Sequence, residues 1–456
     1  MAKHDGFNIQ CIAHSLFVRH FRTALRRTDL SILLAILANC VFFDISRILS
    51  PTQHTTAMSK GPTSTPVSPV AYAFPHIQWD PLGSLRLTAQ ETALLRMAET
   101  NPIEYTLADS RDASMYARVL LKLLAEASAA GAGTGEVSKI VEPCTDEQAM
   151  KALDLDPLGV VTHYALTKLS EIIATLSTGV SGVTVGAVFY VGKDGILVDQ
   201  WKALLRILNK GGKGDAYTQK GAARCLAHIL ITSCPSLRNN TPITDKDGQI
   251  IKARPISYPS AVEPLEALTA WIVSQLKNAT GTSVGLCIPA LTVLMNSHET
   301  RILFCSSGGV KYLARQLRIG TKGAAKATIA DSKKKMGQAS VQQLYELSFC
   351  LWSLTYELNG NYSVRCDFAK DCLVVAALTD LVSIAPREKV VRIALASLRN
   401  LAKCQADQIE PSAGTNSFIG VHFLSEMIAC GLMKAVDHLR DRQFTDPDII
   451  DGKFLT

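Results

Sequence analysis

The chain has 456 residues, of which 47% are hydrophobic and 6% aromatic, and it carries 47 Lys and Arg against 40 Asp and Glu. This hydrophobic content excludes a chain that is disordered throughout, and a formal net charge of +7 is too small for the concentrated basic footprint of a nucleic-acid-binding protein. Leu and Ala dominate the periodic stretches and β-branched alternation is sparse, so the composition predicts an all-α fold.

Two segments precede the first periodic stretch. An Arg-rich stretch at residues 19–27 is followed by an apolar run at residues 30–43, which is shorter than the roughly 18 residues expected of a membrane-spanning helix. We interpret residues 1–57 as an N-terminal extension, either a targeting segment or upstream sequence with little role in the fold, and favour the second. Residues 58–84 are rich in Pro, Ser and Thr, which predicts a flexible leader.

From residue 85 the apolar residues recur at helical spacing, and we predict a helical-repeat domain over residues 85–440. Helices are expected over residues 85–99, 113–130 and 157–177. The Gly-rich stretch at residues 131–135 ends the second of them as a loop.

A repeated order of elements follows these helices. A short segment that turns at Gly or a small polar residue leads into one helix, then a loop, then a longer helix. This order occurs at residues 190–230, 304–358 and 368–401, and a fourth copy begins at residues 423–439. Without loop insertions the unit has about 40 residues, the period of armadillo and HEAT repeats. One unit cannot bury its apolar faces alone, so the order predicts a solenoid, a right-handed superhelix of stacked helices.

The long helix at the end of the second copy is expected to be buried on two sides. Its leucines recur at three- and four-residue steps, and three aromatic residues widen the apolar stripe beyond one contact face. The residues concerned are Leu344, Leu347, Leu351, Leu354 and Leu358, with Phe349, Trp352 and Tyr356. Three insertions, at residues 209–215, 234–264 and 320–340, are interpreted as solvated loops that interrupt the array.

The sequence offers no catalytic signature. The Gly/Lys stretches at residues 211–214 and 320–323 lack the hydroxyl that a phosphate-binding loop places on Mg²⁺, and His298-Glu299 lacks the second His of a zinc helix. The 12 cysteines lie mostly in apolar runs without paired spacing, which indicates reduced, buried thiols. We therefore predict a protein that is not an enzyme and that needs no cofactor, metal or small-molecule substrate.

One cluster of residues is a candidate partner-binding surface. It consists of Arg387, Lys389, Arg392, Arg399 and Asn400. Arg392 and Arg399 are seven residues apart and share nearly the same face of one helix, which suits a groove that pairs with acidic side chains of an extended partner helix. An outer helix face that merely stays hydrated explains the same charges equally well.

The two stretches with the most regular apolar spacing resemble a known protein family. They are residues 344–356 and 387–400, supported by residues 271–276, 308–310 and 442–455, and together they resemble the H subunit of the vacuolar-type proton-translocating ATPase. The resemblance is good from about residue 190 onward. In that family, residues 441–456 correspond to the start of a linker to a second, smaller C-terminal helical domain, which is absent from this chain.

The resemblance implies a non-catalytic subunit of the cytosolic V1 sector, located at the cytosolic face of acidic organelle membranes. It implies binding to other V1 subunits, especially peripheral-stalk helices, and through the missing domain to the membrane-side stator. The implied role is to couple ATP hydrolysis to proton transport. A general armadillo adaptor for extended peptides remains the alternative, although only Asn400 occupies a position typical of a peptide-binding ladder.

Overall fold

The structure is a computed structural model that describes residues 86–100, 109–129, 157–177, 185–189, 201–209, 216–231, 262–278, 284–326, 340–358, 361–370, 373–385, 387–404, 423–440 and 442. The predicted extension at residues 1–57 lies outside the described residues. The same is true of the whole leader at 58–84 and of the linker at 441–456, apart from Arg442.

The described residues form helices and no strands. In chain order the helices are α1 (Ala89–Thr100), α2 (Ser110–Ala129), α3 (Pro157–Ser177), α4 (Val185–Phe189), α5 (Trp201–Asn209), α6 (Ala216–Ile231), α7 (Val262–Asn278), α8 (Val284–Leu294), α9 (His298–Ser306), α10 (Gly309–Lys326), α11 (Val341–Leu354), α12 (Tyr362–Ala369), α13 (Leu373–Ile384), α14 (Glu388–Lys403), α15 (Phe423–Ala429) and α16 (Leu432–Arg440). A 3₁₀ turn, Thr355–Leu358, continues α11. The all-α, armadillo/HEAT-like prediction is confirmed.

The long helices are stacked in two layers. In the first layer, α2, α5, α7, α10, α13 and α16 each contact the next; in the second layer, α3, α6, α8, α11 and α14 do the same. Each first-layer helix from α5 to α13 also packs on the second-layer helix that follows it in sequence. The short helices α9, α12 and α15 lead into α10, α13 and α16, as the repeated order of elements predicts.

Glycines make the sharp turns between the short and long helices. Gly308 and Gly431 adopt positive φ angles of 69° and 80°, between α9 and α10 and between α15 and α16. An L side chain is strained in this left-handed region, so glycine favours the turn at both places. The prediction that a unit turns at glycine is confirmed for these two units.

Polar side chains cap the amino-terminal ends of α11 and α12. Ser340 and Gln343 form a reciprocal capping box at α11, and the Asn361 side chain accepts a hydrogen bond from the Val364 N–H at α12. Such caps satisfy backbone donors that the helix itself cannot pair.

The carboxyl ends of first-layer helices accept hydrogen bonds from the next unit. The Trp271 Nε1–H donates to the Leu208 carbonyl at the end of α5 (3.2 Å), and Gln316 Nε2 donates to the Leu276 carbonyl at the end of α7 (2.8 Å). Arg442 Nη2 likewise donates to the Ala385 carbonyl after α13 (2.8 Å). These carbonyls have no partner within their own helix, so each of the three bonds ties one unit to its neighbour.

A single apolar core runs through both layers. All five leucines of the α11 line are buried, and this helix packs on α8, α10 and α14. Cys225, Cys287, Cys305 and Cys350 are buried and free, and no described cysteine forms a disulfide. Burial raises the pKa of the Cys287 thiol to about 12, so it is a protonated, apolar side chain as predicted.

The structure corrects two boundaries of the predicted insertions. Helix α10 continues to Lys326, so the first residues of the predicted loop at 320–340 are helical. There, Thr321 is buried and its hydroxyl donates to the Leu317 carbonyl (2.8 Å), so the Gly/Lys content that suggested a loop belongs to a packed helix. The insertion at 234–264 likewise ends early, because α7 begins at Val262.

No helix within the described ranges is both long enough and apolar enough to cross a bilayer.

Candidate partner-binding surface

Helix α14 has a buried face and a charged face. Its buried residues, at helical spacing, are Val390, Val391, Ala394, Leu395, Ser397, Leu398 and Leu401. This face packs on α11 and α13, which fixes the rotation of the helix about its axis. The basic residues are therefore directed away from the core.

The charged face carries a basic strip, which we define as Lys389, Arg392, Arg399 and Lys403. Lys389 and Lys403 are exposed, while Arg392 and Arg399 are partly buried. Steps of three, seven and four residues place all four on one side of the helix. The structure thus brings together three of the predicted residues and adds Lys403, which the sequence prediction missed although it lies one helical turn beyond Arg399.

Arg387 is separate from the basic strip. It is exposed and occupies the position immediately before α14, in extended conformation, where its side chain makes no capping hydrogen bond. Arg387 therefore lies at the corner between α13 and α14 and not along the helix face.

The cations of the basic strip influence one another. The pKa of Lys403 is lowered by partial burial and by the positive charge of Arg399. Two cations one turn apart repel each other, and an anionic partner would relieve that repulsion.

Asn400 has a partner within the protein. Its Nδ2 donates to the Thr355 hydroxyl (2.8 Å), and that hydroxyl donates to the Trp352 carbonyl (2.6 Å). Thr355 is buried, so this bridge from α14 to the end of α11 satisfies a polar group in the interior. The structure gives Asn400 a structural contact, which sequence spacing alone did not reveal.

An aromatic row lies beside the basic strip, and we define it as Phe349, Trp352 and Tyr356. The ring centroids of Phe349 and Trp352 are 5.7 Å apart, and Trp352 meets Tyr356 edge-on at 5.2 Å. Phe349 and Trp352 are partly buried, and Tyr356 is 45% exposed. The sequence predicted these residues as core, whereas the structure leaves them at the edge of the core and partly open to solvent.

Tyr356 is the point where the two features meet. Burial raises its pKa, while a hydrogen bond with Asn400 and the charges of Arg399 and Arg301 act in the opposite direction. The last ring of the aromatic row therefore lies close to the carboxyl-terminal half of the basic strip.

A buried carboxylate holds this corner in place. Glu357 is buried, forms an ion pair with Arg301 (Nε to Oε1, 2.6 Å) and also contacts His298 (Nδ1 to Oε2, 2.6 Å). Arg301 also donates from Nη1 to the Met295 carbonyl (2.8 Å). The pairing links α9 to the 3₁₀ turn that carries Tyr356, and a buried carboxylate needs such partners to offset its desolvation.

The surface is suited to binding and not to covalent chemistry. Its exposed groups are cations and aromatic rings, which recognise acidic and apolar side chains. Among the described residues no group of His, Cys, Asp and Glu is arranged to hold a metal ion.

Sequence comparison decides the family of the chain. The family of the V-ATPase H subunit matches residues 159–452, which includes every helix from α4 to α16 and nearly all of α3. The chain belongs to the V-ATPase H-subunit family. This confirms the predicted resemblance. The match begins at residue 159, whereas the sequence resemblance was good only from about residue 190 onward.

Curated relatives bear the same family name. A probable V-type proton ATPase H subunit from Oryza sativa subsp. japonica is 27% identical over 56% of this chain and 47% of its own length. The V-type proton ATPase H subunit of Dictyostelium discoideum is 25% identical over 63% of this chain and 50% of its own. That of Drosophila melanogaster is 32% identical over 38% and 30%. The chain thus spans about half the length, or less, of these H-subunit proteins.

A crystal structure of an engineered protein covers 85% of the chain at 13% identity, with a TM-score of 0.25. That similarity is too low to support a conclusion about the H-subunit fold, which is derived above from the helix contacts.

Proposed function

We propose that the chain is a non-catalytic regulatory and structural subunit of the peripheral V1 sector of a V-type ATPase. In this role it binds stalk subunits and couples ATP hydrolysis to proton transport. The observation that carries the proposal is the H-subunit family match over residues 159–452. A two-layer helical array supports it, because such an array presents long surfaces to partner helices.

The partner surface we propose is the basic strip together with the aromatic row. The two features lie on neighbouring second-layer helices, α14 and α11, and meet at Tyr356. An acidic helix with apolar residues at three- and four-residue spacing would place carboxylates on the strip and apolar side chains on the row. Aromatic and Arg side chains are the residue types that carry most binding energy at protein interfaces.

The proposed partners are other V1 subunits, especially the peripheral-stalk helices, with the membrane-side stator as a further contact. The proposed location follows from these partners and is the cytosolic face of acidic organelle membranes. Binding of nucleic acid or of a small-molecule substrate is not part of the proposed role.

Affinity capture of the tagged full chain from its native cells tests the partner surface. We expect the wild-type chain to recover V1 subunits, and the variant Lys389→Glu/Lys403→Glu to recover far less, because reversing two exposed charges repels an acidic helix. The matched control is Lys277→Glu/Lys434→Glu, which reverses two exposed lysines on first-layer helices. Equal recovery by both variants would contradict the surface.

Depletion of the protein tests the functional role. We expect ATP-driven proton uptake into the organelle lumen to fall, and re-expression of the wild-type chain to restore it. Normal proton uptake after depletion would rule out the coupling role, and capture of unrelated proteins without any V1 subunit would favour a general adaptor.

A further inference from the structure

The first layer carries a second charged surface, on α10. The charged residues of this helix are all Lys or Arg, with neither Asp nor Glu among its 18 residues. Lys311, Arg315, Arg318 and Lys322 follow one another at steps of four, three and four residues, which places them on one face. Lys311, Arg315 and Lys322 are exposed, and Arg318 is partly buried. Sequence analysis missed this face because part of it was assigned to an insertion loop.

The opposite side of α10 is fixed in the core. Val310, Leu313, Ala314 and Leu317 are buried, and α10 packs on α7, α11 and α13. The orientation of the cations is therefore set by core packing and not by their own contacts.

Two exposed aliphatic side chains accompany these cations. Ile319 is 53% exposed and follows Arg318 on α10. Ile384 is 36% exposed and lies one turn beyond Asp380 on α13, the neighbouring first-layer helix. Large aliphatic residues at such exposure among cations are typical of surfaces that contact the headgroup and acyl boundary of a bilayer.

Asp380 fixes two of the cations side by side. Its Oδ2 accepts from Arg318 Nε at 2.9 Å and lies 3.7 Å from Lys322 Nζ. It is the single charged residue of α13. Glu426 on α15 also lies nearby, because its charge acts on Cys430 together with those of Arg318 and Asp380. Four cations against these two carboxylates leave the surface positive.

We propose that this face of α10, with Ile319 and Ile384, binds the anionic headgroup surface of a membrane. A polybasic helix face without interleaved acids suits a diffuse field of lipid phosphates and carboxylates. The basic strip of α14 adjoins aromatic rings, whereas this face adjoins the exposed aliphatic side chains of Ile319 and Ile384, which suit the headgroup boundary of a bilayer. Because α10 is in the first layer and α14 in the second, the site is separate from the surface proposed for stalk helices, and it does not depend on that proposal.

Vesicle sedimentation with the purified full chain tests the proposal. The probes are vesicles of phosphatidylcholine alone and vesicles that also contain phosphatidylserine. We expect binding only to the second kind, and weaker binding as salt is raised, because salt screens exposed charges. The variant Lys311→Gln/Arg315→Gln should reduce the partition coefficient by roughly 25-fold, since each cation near such a surface contributes about fivefold.

The matched control is Lys220→Gln/Arg224→Gln, which removes an exposed Lys and an exposed Arg four residues apart on α6 in the second layer. We expect this variant to bind vesicles as the wild type does, and circular dichroism should show that both variants are folded. The variant Ile319→Ser should weaken binding while leaving its salt dependence unchanged, because it removes apolar contact and not charge.

Absence of wild-type binding to phosphatidylserine vesicles at low salt would overturn the proposal, as would equal binding by the two double variants. Capture of polyglutamate by the wild type without any vesicle binding would also overturn it, since the face would then be a site for acidic protein.

Discussion

Three chemically different side chains each donate a hydrogen bond to the end of a neighbouring helix in the array. Trp271, Gln316 and Arg442 each donate to a carbonyl at or just beyond the end of the preceding first-layer helix. Sequence comparison of the units does not reveal this, because an indole, an amide and a guanidinium share only a directed N–H. The hydrogen bond from the Asn400 amide to the Thr355 hydroxyl was likewise not predictable from the sequence.

His228, on α6, makes the stability of the protein depend on pH. Burial and then the charge of Arg224 lower its pKa from 6.5 to about 4. The unfolded chain therefore binds this proton more tightly than the folded protein does. The histidine's contribution to stability is complete above about pH 6.5 and is lost as pH falls toward 4, by roughly 2–3 kcal/mol in all.

Urea unfolding between pH 4 and 7 checks this prediction. In the variant His228→Gln, the loss of stability on acidification should be smaller than in the wild type by that amount. The variant His438→Gln is the control, because His438 is exposed on α16. Parallel pH profiles for the wild type and His228→Gln would show that protonation of His228 is not coupled to folding.

At the level of elements, apolar periodicity and glycine position predicted most of the fold. The periodic stretches predicted α1 to α3, α5, α6 and the units built from α9 to α16, because apolar spacing reflects which face a helix buries. Helices α7 and α8 were not predicted. The eleven residues of α8 are almost entirely apolar and include Pro289, so they show neither a polar face nor a helix-like composition.

Gly309, the first residue of α10, is required because a larger side chain would not fit there, and not because of its backbone conformation. A Cβ built on Gly309 would overlap the ring of Phe304, a buried side chain of α9. Gly309→Ala should therefore destabilise the protein by about 1–3 kcal/mol, because the ring has to move within a packed core.

Gly221 in α6 provides the matched control. There a Cβ would meet Leu166 at 3.7 Å, an ordinary contact, so Gly221→Ala should stabilise by about 0.5–1 kcal/mol through the lower backbone entropy of the unfolded chain. Midpoints of urea denaturation measure both changes. The same sign for both substitutions would show that space at Phe304 does not decide the effect.

In the whole molecule, polar contacts connect helices that lie 56 and 62 residues apart in the sequence. Glu357 joins the end of α11 to Arg301 and His298 on α9, and Asp380 joins α13 to Arg318 on α10. These pairs lie next to the two proposed surfaces, so the contacts that hold neighbouring helices together also position the residues expected to bind. Their pairing was not predictable, because it depends on how helices far apart in the sequence approach each other.

Removal of the Glu357 carboxylate should weaken the array as a whole. Glu357→Gln leaves Arg301 without its carboxylate in a partly buried position, and we expect a loss of about 2–3 kcal/mol. Chemical denaturation followed by circular dichroism measures the change. The control is Glu346→Gln on α11, whose carboxylate accepts a bond from Gln342 at the exposed surface. If the two variants lose equal stability, the buried pair has no special role.

The side-chain bonds to helix ends have a mechanical consequence. Each one joins a donor in one unit to the last turn of the helix before it, so sliding neighbouring units past each other by a single residue would break the bond and leave a carbonyl unpaired. Apolar packing resists separation of the layers, and interlocked side chains also oppose sliding, but only the hydrogen bonds fix one donor to one carbonyl. The directed bonds from Trp271, Gln316 and Arg442 therefore stiffen the array against shear between neighbouring units.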